Sequence, residues 1–251
     1  MLTRILSAGL LAGVFAGVCV AGLQEVTTTP LILKAESYEG KAAPAAGHNH
    51  SMMKTYNGIP IILAHSTAEA APGAPEIWAP EDGLQRALLT STATIGASVG
   101  FGFMLLAVML ASGATITPST GALWGAAGFV VTGLAPGLGL SPELPGSAAA
   151  DLLSRQVWWI ATAAATAAGL WIIWRTRSAI PVVGSIALIA LPHIVGAPHP
   201  HEFSSAVPAE LAAHFTSTSL AVHAILWVLV GTLAGYFWAR QTPYEKPAQT
   251  A

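Results

Sequence analysis

The stretch LAAHFTSTSLAVHAILWVLVGTLAGYFW, residues 211–238, decides the fold class of this chain. It contains no Asp, Glu, Lys or Arg, and its ionisable side chains are His214, His223 and Tyr236. A helix that crosses the hydrocarbon core of a membrane needs about 20 mostly apolar residues. Because this stretch exceeds that length, it predicts a transmembrane helix that carries two histidines.

The composition of the whole chain indicates the same class. Only 9% of its 251 residues are charged and its mean hydropathy is +0.62, whereas soluble domains carry about 25% charged residues. The net charge of −2, without a basic stripe, argues against nucleic-acid binding. The single cysteine, Cys19, excludes an intramolecular disulfide and a multi-cysteine zinc site, and no phosphate-binding ATPase loop is present. We therefore expect an integral membrane protein with no ATPase of its own.

Working outward from residues 211–238, five further apolar segments are candidate membrane spans. The six segments are 4–23, 87–112, 119–138, 157–174, 179–196 and 211–238. The chain is thus expected to form a single all-α transmembrane domain over residues 1–251. It would be a bundle of about six transmembrane helices, with a long, largely irregular external loop over 24–86 after the first. The fifth segment is short and contains Pro181 and Pro192, so it could be broken or re-entrant.

Basic residues in the short flanks predict the orientation, because cytoplasmic flanks are enriched in Lys and Arg. With six spans, one side of the membrane receives Arg4, Arg175, Arg177, Arg240 and Lys246. That side is predicted to be cytoplasmic and to hold both termini, which leaves 24–86, 139–156 and 197–210 outside. The first span also resembles a secretory signal, although we favour a retained helix; cleavage would not change the orientation of the rest.

Small residues recur at four-residue spacing along several spans. They are Gly9, Gly13 and Gly17, Gly96 and Gly100, Gly121 and Gly125, and Gly231 and Gly235. Such ridges allow helix backbones to approach closely in lipid. We interpret them as packing surfaces within the bundle or between copies of the chain.

The eight histidines are distributed asymmetrically, since none lies in a cytoplasmic flank. Five lie in the two larger external loops, at His48, His50, His65, His199 and His201. His48 and His50 belong to GHNHSMM, residues 47–53, where methionines add thioether ligands to imidazoles that suit zinc, copper, nickel and cobalt. This tract is typical of a weak, exchangeable metal site. The alternative is a solvated loop with incidental histidines.

The stretch LPHIVGAPHPHEF, residues 191–203, carries His193, His199 and His201. A zinc-like site needs three or four ligands, so we expect these imidazoles to be joined by Glu210 and His214. The latter two are four residues apart and share one helical face at the external end of the sixth span. The alternative is a helix-end acid paired with a neighbouring imidazole.

Two histidines lie deeper in the predicted membrane, and a third polar group lies at its outer border. His193 is near the external end of the fifth span and His223 is about halfway along the sixth. Ionisable side chains inside a bilayer usually face a cavity or the bundle interior. Together with Glu25 at the outer end of the first span, they are candidate ligands along a metal path. Each intramembrane histidine could instead be a simple hydrogen-bonding partner of a neighbouring helix.

Several stretches give the chain a family resemblance. They are TTPLILKAESYE (28–39), WAPEDGLQRALLT (78–90), PELPGSAAADLLSRQVWW (142–159), LPHIVGAP (191–198) and VPAELAAHF (207–215). In this order the chain resembles the CbtA family of predicted cobalt transporter subunits. The resemblance implies cobalt uptake across a bacterial inner membrane, linked to cobalamin synthesis. It also implies a small single-span partner, CbtB, with a histidine-bearing end.

We expect the chain to take up a divalent transition-metal ion, cobalt or alternatively nickel, through a histidine-lined path. No permanently bound cofactor is expected. Because ligands must lose protons to bind metal, uptake should fall as the pH drops through the imidazole range near 6.5. The alternative is a membrane metal-binding or sensory subunit that passes metal to a partner without conducting it. An enzyme is not expected, since no H-E-x-x-H motif or recognisable nucleophile is present.

Overall fold

The structure, a computed structural model, describes residues 1–39, 80–200 and 205–241, together with Thr55–Tyr56 and Ile59–Pro60. The helices are α1 Leu2–Val26, α2 Thr28–Glu39, α3 Leu84–Ser112, α4 Pro118–Phe129, α5 Ala135–Gly137, α6 Leu152–Arg175, α7 Ala179–Val195 and α8 Ala209–Arg240. A π-helical segment, Val130–Leu134, joins α4 to α5. Two short strands, β1 Thr55–Tyr56 and β2 Ile59–Pro60, pair in antiparallel fashion.

The long helical segments alternate in direction. The Arg4 side chain at the start of α1 donates to the carbonyl oxygen of Trp238 near the end of α8, with Nη2 2.7 Å away. The α3 helix runs against α1, since Gly9 lies beside Phe103 and Gly17 beside Ile95. In the same way α4–α5 runs against α8, and α7 runs against α6.

One end of the bundle therefore gathers the start of α1 and the ends of α6 and α8. We call it the arginine end, for Arg4, Arg175 and Arg240. Arg175 belongs to this end because Trp171 and Trp174 of α6 lie beside Trp124 near the start of α4. The beginning of α4 in turn meets the end of α8, where Gly235 touches Thr117.

The core consists of α1, α3, α4 and α8, and glycines set its close packing. A Cβ atom on Gly13 would overlap the backbone of Val99, and one on Gly121 would overlap the carbonyl oxygen of Gly231. The predicted glycine ridges are thus confirmed on α1, α4 and α8. On α3 the contact is made by Gly102 instead, while Gly96 and Gly100 face open space in the described structure.

The third predicted span is a helix interrupted by the π segment. Its start at Pro118 is fixed by Thr117, whose hydroxyl accepts from the backbone N–H of Thr120 at 3.2 Å. Near its other end Pro136 lacks the N–H that would bond the carbonyl of Thr132, and the π segment lies directly before this proline. A π turn widens the helix locally and is often found at functional sites.

The α6–α7 hairpin is attached to the core mainly through the π segment and α5. Gly169 of α6 lets Ser185 and Ile189 of α7 approach closely. For the fifth predicted span, a broken or re-entrant segment was one of the alternatives. The segment is instead one helix that continues through Pro192 to Val195. Its length of 17 residues gives about 25 Å at 1.5 Å per residue.

Residues 24–86 were expected to be a largely irregular external loop, but residues 24–39 are helical apart from Thr27. The α1 helix continues to Val26, and α2 follows it at once over Thr28–Glu39. The side chain of Ala35 is fully buried in a cluster with Leu144, Val207, Leu211 and Phe215. Apolar burial against the start of α8 therefore holds α2 at the end opposite the arginines.

Four helices are long and apolar enough to cross a membrane: α1, α3, α6 and α8. The α7 helix is apolar but shorter, and the third segment is divided by the π turn. By length and composition alone, the described residues thus support four spans, and the predicted count of about six stays a prediction.

Candidate functional site

His223 is the centre of a polar group between α8 and the π segment. Its Nε2 atom accepts a hydrogen bond from the indole N–H of Trp227, with an N–N distance of 2.9 Å. The hydroxyl of Thr132 lies 3.4 Å from the same Nε2 atom, but it also donates to the carbonyl oxygen of Gly128 at 2.8 Å. Trp227 is therefore the principal partner of this imidazole nitrogen.

These contacts define the protonation form of His223. An indole nitrogen can only donate, so Nε2 must offer its lone pair and the ring proton must lie on Nδ1. Imidazolium could not accept this bond, because both of its nitrogens carry protons. The arrangement thus selects a neutral imidazole, the form that binds transition metals.

The π segment makes the space that His223 occupies. A Cβ atom on Gly133 would lie 2.8 Å from Cδ2 of His223, so any side chain there would push the ring away. Phe129, at the end of α4, covers another side of the imidazole, with ring centroids 6.0 Å apart. The glycine in the π segment and the phenylalanine before it thus allow this part of the chain to pack around the histidine of α8.

His223 lines an open cavity of about 830 Å³ between α6 and α8. We call it the histidine cavity. Its polar lining residues are Thr132, Ser141, Glu143, Arg155, Gln156, Ser219 and His223. The hydroxyl of Thr216 donates to the carbonyl oxygen of Pro142, another lining residue, at 2.9 Å. His223 lies about two helical turns deeper along α8 than Thr216, so the cavity leads from the end opposite the arginines into the bundle.

An ion pair lies at the outer part of the histidine cavity. Arg155 of α6 donates from Nη2 to Oε2 of Glu143 over 2.9 Å, and both side chains are about one-third exposed, at 29% and 31%. The start of α6 is fixed next to it, because Asp151 accepts from the backbone N–H of Ser154 at 3.0 Å. The carboxylate of Glu143 is therefore partly neutralised by Arg155 at the mouth of the cavity.

His193 occupies a different environment from His223. Its half-buried ring meets the edge of Trp158 on α6, with centroids 5.6 Å apart, while the Trp158 indole donates to the carbonyl of Pro192 at 3.1 Å. The α7 helix packs mainly on α6 rather than on α8. The two deep histidines thus lie on helices that are consecutive in the chain but are not packed against each other.

The other predicted ligands in the described residues are spread over the end of the bundle opposite the arginines. His199, Glu210 and His214 are exposed, and Glu25 is half-buried in the last turn of α1. His48, His50 and His201 lie outside the described residues. Over 1–39, 80–200 and 205–241, no three His, Cys, Asp or Glu side chains are placed so as to hold a metal ion together.

Sequence reasoning located His223 but missed the residues around it. Trp227 could have been found, because it lies four residues along the same helix and so on the same face. Thr132, Gly133 and Glu143 come from other parts of the chain, and their approach to His223 or Arg155 depends on tertiary packing. The Gly–Leu–Ala–Pro run after Thr132 was the available signal of an irregular helix.

Comparison with known families gives one match over nearly the whole chain. The profile described as "Probable cobalt transporter subunit (CbtA)" matches residues 2–239. The chain belongs to the CbtA family. No curated protein and no solved structure matches it. With several membrane-capable helices, this CbtA-family chain is a membrane protein of a cobalt transporter subunit family.

Proposed function

We propose that this CbtA-family chain itself conducts a divalent transition-metal ion, most simply cobalt, through the histidine cavity and past His223. The observation that carries the proposal is the placement of a neutral imidazole at the inner part of an open cavity whose lining combines polar side chains with apolar ones. An intramembrane histidine is expected to serve a path or site when it faces such a cavity.

The proposed route begins at the end opposite the arginines. His199, Glu210 and His214 are exposed there and would exchange the ion with water, joined by His48, His50 and His201. Glu25 and His193 are proposed to lie near the route. Imidazole and carboxylate donors suit cobalt and nickel alike, so family membership rather than ligand chemistry favours cobalt.

Six crossings of a bacterial inner membrane are proposed for the long helical segments. Their alternating direction supports this, as does the arginine end, which the positive-inside rule places in the cytoplasm with both termini. At the opposite end the arginines of α3 and α6 are paired with acids, Arg86 with Glu36 and Arg155 with Glu143.

His223 is suited to brief rather than permanent binding. Metal coordination at Nε2 requires the lone pair that Trp227 now occupies, so the ion must displace a hydrogen bond worth about 1 kcal/mol. When the ion leaves, the bond forms again. A site that competes with its own hydrogen bond releases metal more readily, which favours transport over storage.

Cobalt uptake into liposomes that contain the purified chain alone tests the proposal. We expect accumulation of radiolabelled cobalt by the unaltered chain and a loss of at least tenfold in H223A. H193A is the matched histidine variant, and its smaller effect would indicate that His193 supports the Trp158 contact. Equal rates in H223A and the unaltered chain would overturn the role of His223.

A folded chain that gives no uptake alone would contradict conduction by this subunit in isolation. We propose a small single-span, CbtB-like subunit as its partner, in keeping with the family description of a subunit. Uptake that appears only when this partner is added would make the path a property of the complex. Metal binding without uptake, even then, would support a subunit that delivers metal without conducting it.

A further inference from the structure

A second cavity lies beside Trp227, between α3, α4 and α6 and nearer the arginine end than the histidine cavity. Its volume is about 470 Å³, and its lining is apolar except for Thr132. Four tryptophans contribute to it: Trp124, Trp171, Trp174 and Trp227. We call it the tryptophan cavity. Because the Thr132 hydroxyl already donates to Gly128, the lining offers little to hold water, and an apolar occupant is favoured.

The cavity exists because α6 packs on the π segment and α5 rather than closely on α4. Toward the arginine end the gap is spanned by side chains, with the Trp124 ring 6.4 Å from Trp171 and 6.0 Å from Trp174. The rim is exposed on α3, α4 and α6, at Val108, Leu123 and Trp174. In a bilayer this rim would open toward the lipid chains.

A positive charge lies at the rim. The guanidinium of Arg175, in the last turn of α6, lies over the ring of Trp171 at 5.0 Å from its centroid. No carboxylate lies within ion-pair distance of Arg175 among the described residues. An apolar cavity with an arginine at its membrane border matches the two parts of a phospholipid, because arginine binds phosphate oxygens.

We propose that the tryptophan cavity binds one acyl chain of an anionic phospholipid whose phosphate contacts Arg175. The cavity volume lies within the range of about 300–1,000 Å³ that is typical of ligand sites. It would hold only about one turn of an α-helix 10 Å across, which is too little for a spanning partner. The site is distinct from the proposed cobalt route, although Thr132 lines both cavities.

Arg240 provides a matched control for Arg175. It lies in the last turn of α8 at the same end of the bundle, and its guanidinium is also 5.0 Å from an aromatic centroid, that of Tyr236. Tyr236 does not line the tryptophan cavity. The two arginines thus share their charge, helix position and aromatic contact but differ in whether an apolar cavity lies beside them.

Native mass spectrometry of the full chain in detergent tests the proposal, with dioleoyl phosphatidylglycerol and dioleoyl phosphatidylcholine as probes. We expect one phosphatidylglycerol to bind at least fivefold more tightly than phosphatidylcholine. R175Q should lose that preference and R240Q should keep it. A127F should fill the cavity and remove binding of either lipid; V108F, at the exposed rim, is a second filling variant in case A127F does not fold.

Four results would overturn the proposal. Equal binding of the two lipids would exclude recognition of an anionic headgroup. Equal losses in R175Q and R240Q would exclude Arg175 as the specific contact of that headgroup. Unchanged lipid binding in a folded filling variant would place the lipid elsewhere. A lipid-free dimer that A127F dissociates would assign the cavity to a second copy of the chain.

Discussion

Trp227 and His223 lie one turn apart on α8, and the indole N–H of the first donates to Nε2 of the second over 2.9 Å. Trp227 is almost fully buried, at 1% exposure, and it stacks on Phe101 of α3 with centroids 4.6 Å apart. The helix core thus positions the tryptophan, and the tryptophan orients the imidazole toward the histidine cavity. The orientation of the His223 ring is therefore coupled to the packing of α3 against α8.

Replacement of Trp227 by phenylalanine should tighten cobalt binding. W227F retains an aromatic ring for Phe101 but removes the hydrogen bond to Nε2, so the ion no longer has to displace it. Since such a bond is worth about 0.5–1.5 kcal/mol, we expect cobalt affinity to rise about two- to tenfold. Equilibrium dialysis of the purified chain measures the affinity, and liposome uptake should show slower release.

The gain in W227F must depend on His223. The double variant W227F/H223A should show none of it, and W174F, the same change at an exposed tryptophan of α6, should bind cobalt like the unaltered chain. A gain that persists without His223 would mean that another group binds the ion.

The ion pair at the histidine cavity should control how cations approach it. R155Q leaves the Glu143 carboxylate without its arginine, whereas E143Q leaves the arginine without its carboxylate. Because both groups are only about one-third exposed, the remaining charge acts on an incoming ion. We expect the concentration of cobalt for half-maximal uptake to fall about two- to fivefold in R155Q and to rise in E143Q.

Salt and position provide the controls for this electrostatic effect. The difference between R155Q and E143Q should shrink when the ionic strength is raised from about 0.01 M to 0.15 M, where the Debye length falls to about 8 Å. R86Q unpairs Glu36, which does not line the histidine cavity, and should leave uptake unchanged. An equal effect of R86Q would indicate a general surface potential instead.

The long helices could be predicted because one physical quantity, a sufficiently long apolar run, decides them. Their ends could not be located as well, since polar residues such as Gln24 and Glu25 remain helical beyond the apolar part of α1. The α2 helix was missed because it is too short and too polar to be a span. Its apolar positions Leu31, Ala35 and Tyr38, at helical spacing, were the signal that could have found it.

The candidate site was less predictable than the fold. A histidine in the middle of an apolar helix is visible in sequence, and so His223 was found. Its surroundings depend on which helix packs beside α8. That helix is α4, and the contact is made through glycines on both helices. The four-residue spacing identifies these glycines in the sequence, but it does not show which helix packs against which. The expected cluster around His193, His199, Glu210 and His214 does not converge on one metal site in the described residues, and its role stays a prediction.

The glycine contact between α4 and α8 should be sensitive to a single methyl group. A Cβ atom at Gly231 would overlap the carbonyl oxygen of Gly121, so G231A must separate the helices. Overpacking of this kind costs about 1–3 kcal/mol. We expect a lower melting temperature in detergent and weaker cobalt uptake, because His223 and Gly133 lie along the same interface.

Gly96 and Gly100 supply the control, since a Cβ atom at either meets nothing within 4 Å. G96A and G100A should unfold within a few degrees of the unaltered chain. Destabilisation by G100A as large as that by G231A would show that the exposed face of α3 packs against something in the assembled protein, such as a second copy.

The packing of α2 on the start of α8 can be tested at Ala35. This side chain is fully buried against Val207, Leu211 and Phe215, so A35L should push α2 away from the start of α8. Hydrogen exchange of the α2 amides should then become at least tenfold faster, since a displaced short helix is only marginally stable alone. S37L adds the same side chain at an exposed position of α2 and should leave the exchange rates unchanged. If A35L exchanges as slowly as S37L, apolar packing at Ala35 is not what holds α2, and the Glu36–Arg86 pair must supply the attachment.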